Sequence, residues 1–141
     1  MDKVLVVDDD PAVRALLEIV GKRAGFTVDT APDGHDALAK LRAERYSILV
    51  LDLMMPRVNG YEVLHQLRGD PHRPAIVVVT AMTGVHVAKL DPQVVQSIVR
   101  KPFDIEMMAG VLTDVASAVK NRSAPGAPAP PELTRPQPSA C

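Results

Sequence analysis

Cysteine is almost missing from this sequence. Its one copy, Cys141, is the last residue, so no disulfide can close within the chain and a reducing compartment is expected. An excess of charge of one sign is missing as well: 16 basic and 17 acidic residues leave a net charge of −1. That balance supplies no broad positive footprint for nucleic acid or for an anionic membrane surface. Long hydrophobic runs are also missing. The apolar stretch after Lys3 is VLVV, too short for a secretory signal or a membrane span. No other stretch approaches the roughly 18 residues that a span needs. There are no internal repeats and no coiled-coil heptads. The expectation is a soluble, cytoplasmic protein with no direct nucleic-acid or membrane partner.

What is present suffices for one domain. The chain has 141 residues, 47% of them hydrophobic and 23% charged, enough to build a core. Six of the 13 prolines fall within residues 123–141, which hold one leucine and no isoleucine, valine, methionine or aromatic residue. Such a segment buries too little apolar surface to offset the entropy of ordering it. Residues 1–121 are therefore expected to form the domain, and residues 122–141 a disordered Pro-rich tail, whether a solvated extension, a ligand for a Pro-recognising partner or a linker.

Within the domain, strand-like and helix-like patterns alternate. Residues 4–7, 48–51 and 76–79 are short β-branched apolar runs, suited to strands buried on both faces. Residues 27–30 and 97–99 are weaker strand candidates. Val13, Leu16, Leu17, Val20 and Ala24 recur at helical spacing, with Gly25 placed to stop the helix. Asp33 can cap a second helix bearing Ala37, Leu38 and Leu41, and Val63, Leu64 and Leu67 mark a third, closed by Gly69 and Pro71. Met108, Val111, Leu112, Val115 and Val119 mark a long last helix with Asp104 as N-cap. Between Thr80 and Ser97 the pattern is poor, and a short irregular fourth helix near residues 85–90 is expected. Short connections and right-handed crossovers make this an α/β fold, a doubly wound five-stranded parallel sheet. Ligands of such sheets collect at the carboxyl ends of the strands.

Chemistry is concentrated there. The first strand runs into Asp8-Asp9-Asp10, the third ends in Asp52, the fourth in Thr80, and the fifth in Arg100-Lys101-Pro102. Crowded carboxylates either take up protons or recruit a cation, and hard oxygen donors without cysteine or histidine favour Mg²⁺. A carboxylate can be the nucleophile that accepts a phosphoryl group. Mg²⁺ and Lys101 would neutralise the phosphoryl oxygens, and the Thr80 hydroxyl could donate to one of them. Asp10 before Pro11 reads as a helix N-cap rather than a ligand. Asn59-Gly60 shapes the loop into the third helix. Met54 and Met55 read as loop packing residues, and Arg14, Arg42 and Arg45 as exposed helix faces. His35, His65, His72 and His86 have unrelated spacings and are read as solvated, which excludes a phosphohistidine or zinc site.

Taken together, VLVVDDDP, LVLDLMMPRVNG, VVVTA and RKPF resemble, in order and spacing, the receiver domains of two-component response regulators. The resemblance covers residues 1 to about 120. It implies a flavodoxin-like strand order 2-1-3-4-5, Asp52 as phosphoacceptor, and Asp9 as direct and Asp8 as water-mediated Mg²⁺ ligands. The backbone carbonyl of Met54 would complete the metal site. Thr80 matches the switch hydroxyl, Ala81 the small residue beside the phosphoryl group, and Lys101 the phosphate-binding lysine, with Lys101–Pro102 expected in cis. One departure is Ile98, where receivers often carry Tyr or Phe. Isoleucine has no hydroxyl and a stiff χ1, which puts the threonine–aromatic coupling in question. The segment 82–96 is expected to be mobile and to order on phosphorylation or partner binding. Met54 and Met82 stand where attacking water must approach, so slow self-dephosphorylation is expected.

The function implied is a single-domain response regulator. It would accept a phosphoryl group from a sensor histidine kinase or phosphotransfer protein and act on a downstream protein by contact or relay. It would be a signalling domain rather than an enzyme. The alternatives are a non-switching receiver-fold scaffold and a receiver fragment of a longer regulator. An aspartate-nucleophile phosphatase is disfavoured because Asp52-Leu53-Met54 lacks a second aspartate. A flavin binder is disfavoured because no Ser/Thr/Gly-rich loop follows the first strand.

Overall fold

A computed structural model describes residues 2–55, 59–81 and 90–123, and among these described residues there are five strands and four helices. They are β1 (Lys3–Val7), α1 (Pro11–Arg23), β2 (Thr27–Ala31), α2 (Gly34–Ala43), β3 (Ile48–Asp52), α3 (Gly60–Leu67), β4 (Ala75–Thr80), β5 (Val95–Arg100) and α4 (Ile105–Ser123). The strands pair in parallel in the order β2-β1-β3-β4-β5. This is the doubly wound order expected from the sequence.

The apolar runs become strands because both sheet faces are covered. Every residue of β3 is buried. On one face Leu5, Leu49, Leu51, Ile76 and Val78 pack with Ala37 of α2 and with Val63 and Leu67 of α3. On the other, Val4, Val6, Ile48, Val50, Val77 and Val79 pack with Leu17 and Val20 of α1 and Met108, Leu112 and Val115 of α4. Each fully buried side chain of this size contributes roughly 1.5–3 kcal/mol.

Helix ends follow the expected caps. The Asp10 carboxylate accepts from the N–H groups of Ala12 and Val13, with Pro11 in the first helical position. Asp33 and Asp104 accept from the N–H groups of Asp36 and Met107 in the same way, and Asn59, read from the sequence only as a loop residue, caps α3 by accepting from that of Glu62. At the end of α1, Gly25 adopts φ +96° while its N–H reaches Lys22 and that of Phe26 reaches Gly21. This paired C-terminal closure needs a left-handed residue at that position.

Three details differ from the sequence reading. The weak strands are longer, β5 covering Val95–Arg100 because pairing with β4 recruits its flanks. Val95 and Gln96, assigned above to a mobile segment, therefore belong to a strand. Arg122 and Ser123, assigned to the tail, belong to α4. The short helix expected near residues 85–90 lies, except for the buried Leu90, outside the described residues. So do the remaining tail, residues 124–141, and most of the segment 82–96. Among the described residues no helix is long and apolar enough to cross a membrane.

Candidate functional site

Register decides what meets at the carboxyl rim. Val7 pairs with Leu51, Asp52 with Val79 and Thr80 with Arg100, so the three central strands and β5 end nearly level. Asp8, Asp52 and Thr80 are the buried polar or charged side chains among the described residues, at 0%, 4% and 0% exposure. Asp9 lies exposed beside them. One carboxylate oxygen from each of Asp8, Asp9 and Asp52 lies within 4.8 Å of the others. Lys101 enters from beyond β5, its Nζ 3.0 Å from Asp8 Oδ2 and 3.6 Å from Asp52 Oδ2. Its own N–H donates to the Thr80 carbonyl at 2.9 Å, and the Lys101–Pro102 peptide is cis.

Backbone donors fix the carboxylates. Asp8 Oδ1 accepts from the N–H of Asp10 at 2.9 Å, and Asp52 Oδ1 from that of Met54 at 3.2 Å. The start of α3 presses against the same loop: Gly60 N–H donates to the Leu53 carbonyl at 3.1 Å. A Cβ on Gly60 would lie 2.5 Å from the Asp52 carbonyl oxygen. Only glycine allows that approach.

Burial, then the charge of Asp8, pushes the Asp52 carboxyl up to about 6; Lys101 and the Met54 N–H oppose the rise, and Asp9 adds to it. Burial works against the charge of Lys101, but the hydrogen bond it donates to Asp8 and the charge of Asp52 outweigh it and raise its pKa. Among the described residues, the Lys101 ammonium thus pairs with two of the three clustered carboxylates. The donors are all hard oxygens, two of them on buried side chains, and the charge imbalance favours a divalent cation of the Mg²⁺ type.

Asp8, Asp9, Asp52 and Lys101 therefore converge as the sequence suggested, with Thr80 buried at the end of the neighbouring strand. Met54 adjoins Asp52, but its side chain is 59% exposed, so it is not a packing residue; Met55 is buried. Ile98 sits on the edge strand at 38% exposure. His35, His65 and His72 are exposed, while His86 and Met82 lie outside the described residues. Arg14 is a correction. Read as an exposed helix face, it is half-buried, and its Nη1 donates to the Asp8 carbonyl at 2.8 Å. Helical periodicity places a side chain on a face but does not show that a loop carbonyl lies over that face.

Known proteins resemble this chain in sequence and fold. The family model described as response regulator receiver domain matches residues 4–113. Response regulator ArlR of Staphylococcus aureus (strain Mu50) is 37% identical over 108 residues, covering 75% of this chain and 48% of that protein. The chain thus spans about half the length of the curated relatives it matches. Among solved structures, the chemotaxis protein CheY4 of Vibrio cholerae is 30% identical with a TM-score of 0.75, covering 82% of this chain and 98% of that one. Response regulator protein TrrA of Thermotoga maritima, solved in complex with Mg(2+)-BeF, is 30% identical with a TM-score of 0.73, covering 82% and 99%.

Proposed function

The chain belongs to the response regulator receiver domain family, and from that premise we propose that it accepts a phosphoryl group on Asp52 from a sensor histidine kinase or a phosphotransfer protein. The observation that carries this reading is the buried Asp52, flanked by Asp8 and Asp9 and 3.6 Å from the Lys101 ammonium. An Asp52 oxygen attacks phosphorus, an O–P bond forms, and the bond from phosphorus to the donor's leaving group breaks. Mg²⁺, held by Asp8, Asp9, Asp52 and the Met54 carbonyl, would supply charge neutralisation for the phosphoryl oxygens. Lys101 balances the remaining negative charge, and the Thr80 hydroxyl donates to a phosphoryl oxygen. Dephosphorylation by water is self-catalysed at the same residues.

The signal then passes, in the cytoplasm, to a downstream protein by altered contacts or by relay. The half-length match to curated relatives supports a second reading, in which these residues are the receiver part of a longer regulator. Either reading is tested by incubating the protein with Mg²⁺ and acetyl phosphate and weighing it intact. Wild type is expected to gain the mass of one phosphoryl group and Asp52→Asn to gain none. No gain in wild type, or a gain that persists in Asp52→Asn, overturns the assignment.

A further inference from the structure

Arg14 stands in the first turn of α1, six residues after Asp8, yet its guanidinium turns back over the helix start. Its acceptor is a particular one. Asp8 is fully buried and lies just beyond the last β1–β3 pair, Val7 with Leu51. Its N–H continues the sheet by donating to the Ala31 carbonyl at 3.2 Å, but its carbonyl is past that ladder. A buried carbonyl requires a donor, and the Arg14 Nη1 provides it at 2.8 Å.

The geometry points to Arg14 as a positioning residue for the cation and phosphoryl site, a role that rests on the function proposed above. The Asp8–Asp9 turn is held by the Asp8 N–H on Ala31, the Asp8 carbonyl on Arg14 and the Asp10 N–H on Asp8 Oδ1. Lys101 fixes the remaining Asp8 oxygen. Rotation of the Asp8–Asp9 peptide would swing Asp9, whose carboxylate is exposed and is aimed at the cluster through the backbone. Arg14 blocks that rotation while leaving every carboxylate oxygen of Asp9 and Asp52 to other partners. Its fixed charge also offsets part of the repulsion among the three aspartates. Groups that orient ligands in this way commonly change metal affinity by about 10–100-fold when removed.

The test is Mg²⁺ binding by isothermal titration calorimetry on the full chain without a phosphodonor, beside the rate of phosphorylation by acetyl phosphate as Mg²⁺ is varied. Arg14→Met keeps the apolar stem and removes the donor. It is expected to bind Mg²⁺ about 10-fold more weakly and to need correspondingly more Mg²⁺ for half-maximal rate, while the rate at saturating Mg²⁺ stays near wild type. A lowered melting temperature with unchanged Mg²⁺ affinity would make Arg14 a structural residue only and overturn the inference. If Arg14→Met does not fold, Arg14→Gln, shorter and uncharged, is judged by the same two outcomes. Wild type that binds Mg²⁺ yet takes no phosphoryl group overturns the proposed function alone. Arg14→Met that matches wild type in Mg²⁺ binding overturns this inference alone.

Discussion

Asp8 and Lys101, separated by 93 positions in sequence, form an ion pair of 3.0 Å in which the carboxylate is almost completely buried. The pair ties the end of β1 to the segment after β5, across the width of the site. Breaking such a pair from one side leaves a buried charge uncompensated, which costs more than the pair itself contributes. Lys101→Met is therefore expected to lose about 2–3 kcal/mol of stability in metal-free buffer. Urea unfolding checks this, and millimolar Mg²⁺ should recover part of the loss by supplying positive charge to the same carboxylates. A variant as stable as wild type in metal-free buffer would show that the pair contributes nothing to the fold.

Asp52 gives the site a pH dependence of definite sign. Its carboxyl is raised from the ordinary 3.8 to about 6, first by burial and then by Asp8. Between about pH 4 and 6 the folded protein holds a proton that the unfolded chain has released, so stability falls as pH rises through that window and stays lowered above it. Asp52→Asn removes the effect. It is expected to be more stable than wild type by about 1–3 kcal/mol at pH 7.5 without metal, with the gap closing below pH 4. Denaturant titrations at several pH values measure the gap, and a constant gap across that range would contradict it.

Much of this was legible beforehand, for physical reasons. A parallel sheet covered on both faces demands continuous β-branched runs, and residues 4–7, 48–51 and 76–79 are such runs. A cap needs a short acceptor side chain at a helix start, and Asp10, Asp33 and Asp104 provide it. Strand ends carry the chemistry, so Asp8, Asp9, Asp52, Thr80 and Lys101 could be picked out before their distances were known. What failed to show depends on long-range packing. The flanks of β5, Val95-Gln96 and Arg100, join one buried valine to two exposed polar residues, too weak a pattern to mark a strand until β4 lies beside them. Arg14 fits a solvent face by periodicity and is claimed instead by a carbonyl six residues away. Met54 is apolar, yet its side chain projects from the loop beside Asp52.

Two glycines of the helices should respond oppositely to alanine. At Gly60 a Cβ meets the Asp52 carbonyl oxygen at 2.5 Å and the Leu53 Cα at 2.6 Å, both backbone atoms that cannot step aside cheaply. Gly60→Ala should cost about 2 kcal/mol or more and slow phosphoryl uptake by displacing Asp52. At Gly110, inside α4 and exposed, a Cβ meets nothing within 4 Å. Gly110→Ala should stabilise by about 0.5–1 kcal/mol, because alanine loses less conformational freedom in a helix. Thermal unfolding separates the two. Equal effects would mean that helix propensity, rather than the approach of α3 to β3, governs both positions.

The lifetime of the acyl phosphate should be set in part by Met54. Its N–H holds Asp52 Oδ1 at 3.2 Å, and its thioether side chain, 59% exposed, belongs to the loop that leaves the carboxylate that would carry the phosphoryl group. A thioether accepts hydrogen bonds only weakly and donates none, so it does little to orient an attacking water. Asparagine at the same place offers both a donor and an acceptor while leaving the backbone N–H and carbonyl in position. Met54→Asn is therefore expected to shorten the lifetime of the phosphorylated protein severalfold without changing Mg²⁺ affinity, since the metal would be held by the backbone carbonyl. The decay is followed by intact mass after removal of acetyl phosphate. An unchanged or longer lifetime would place the control of water elsewhere in the site.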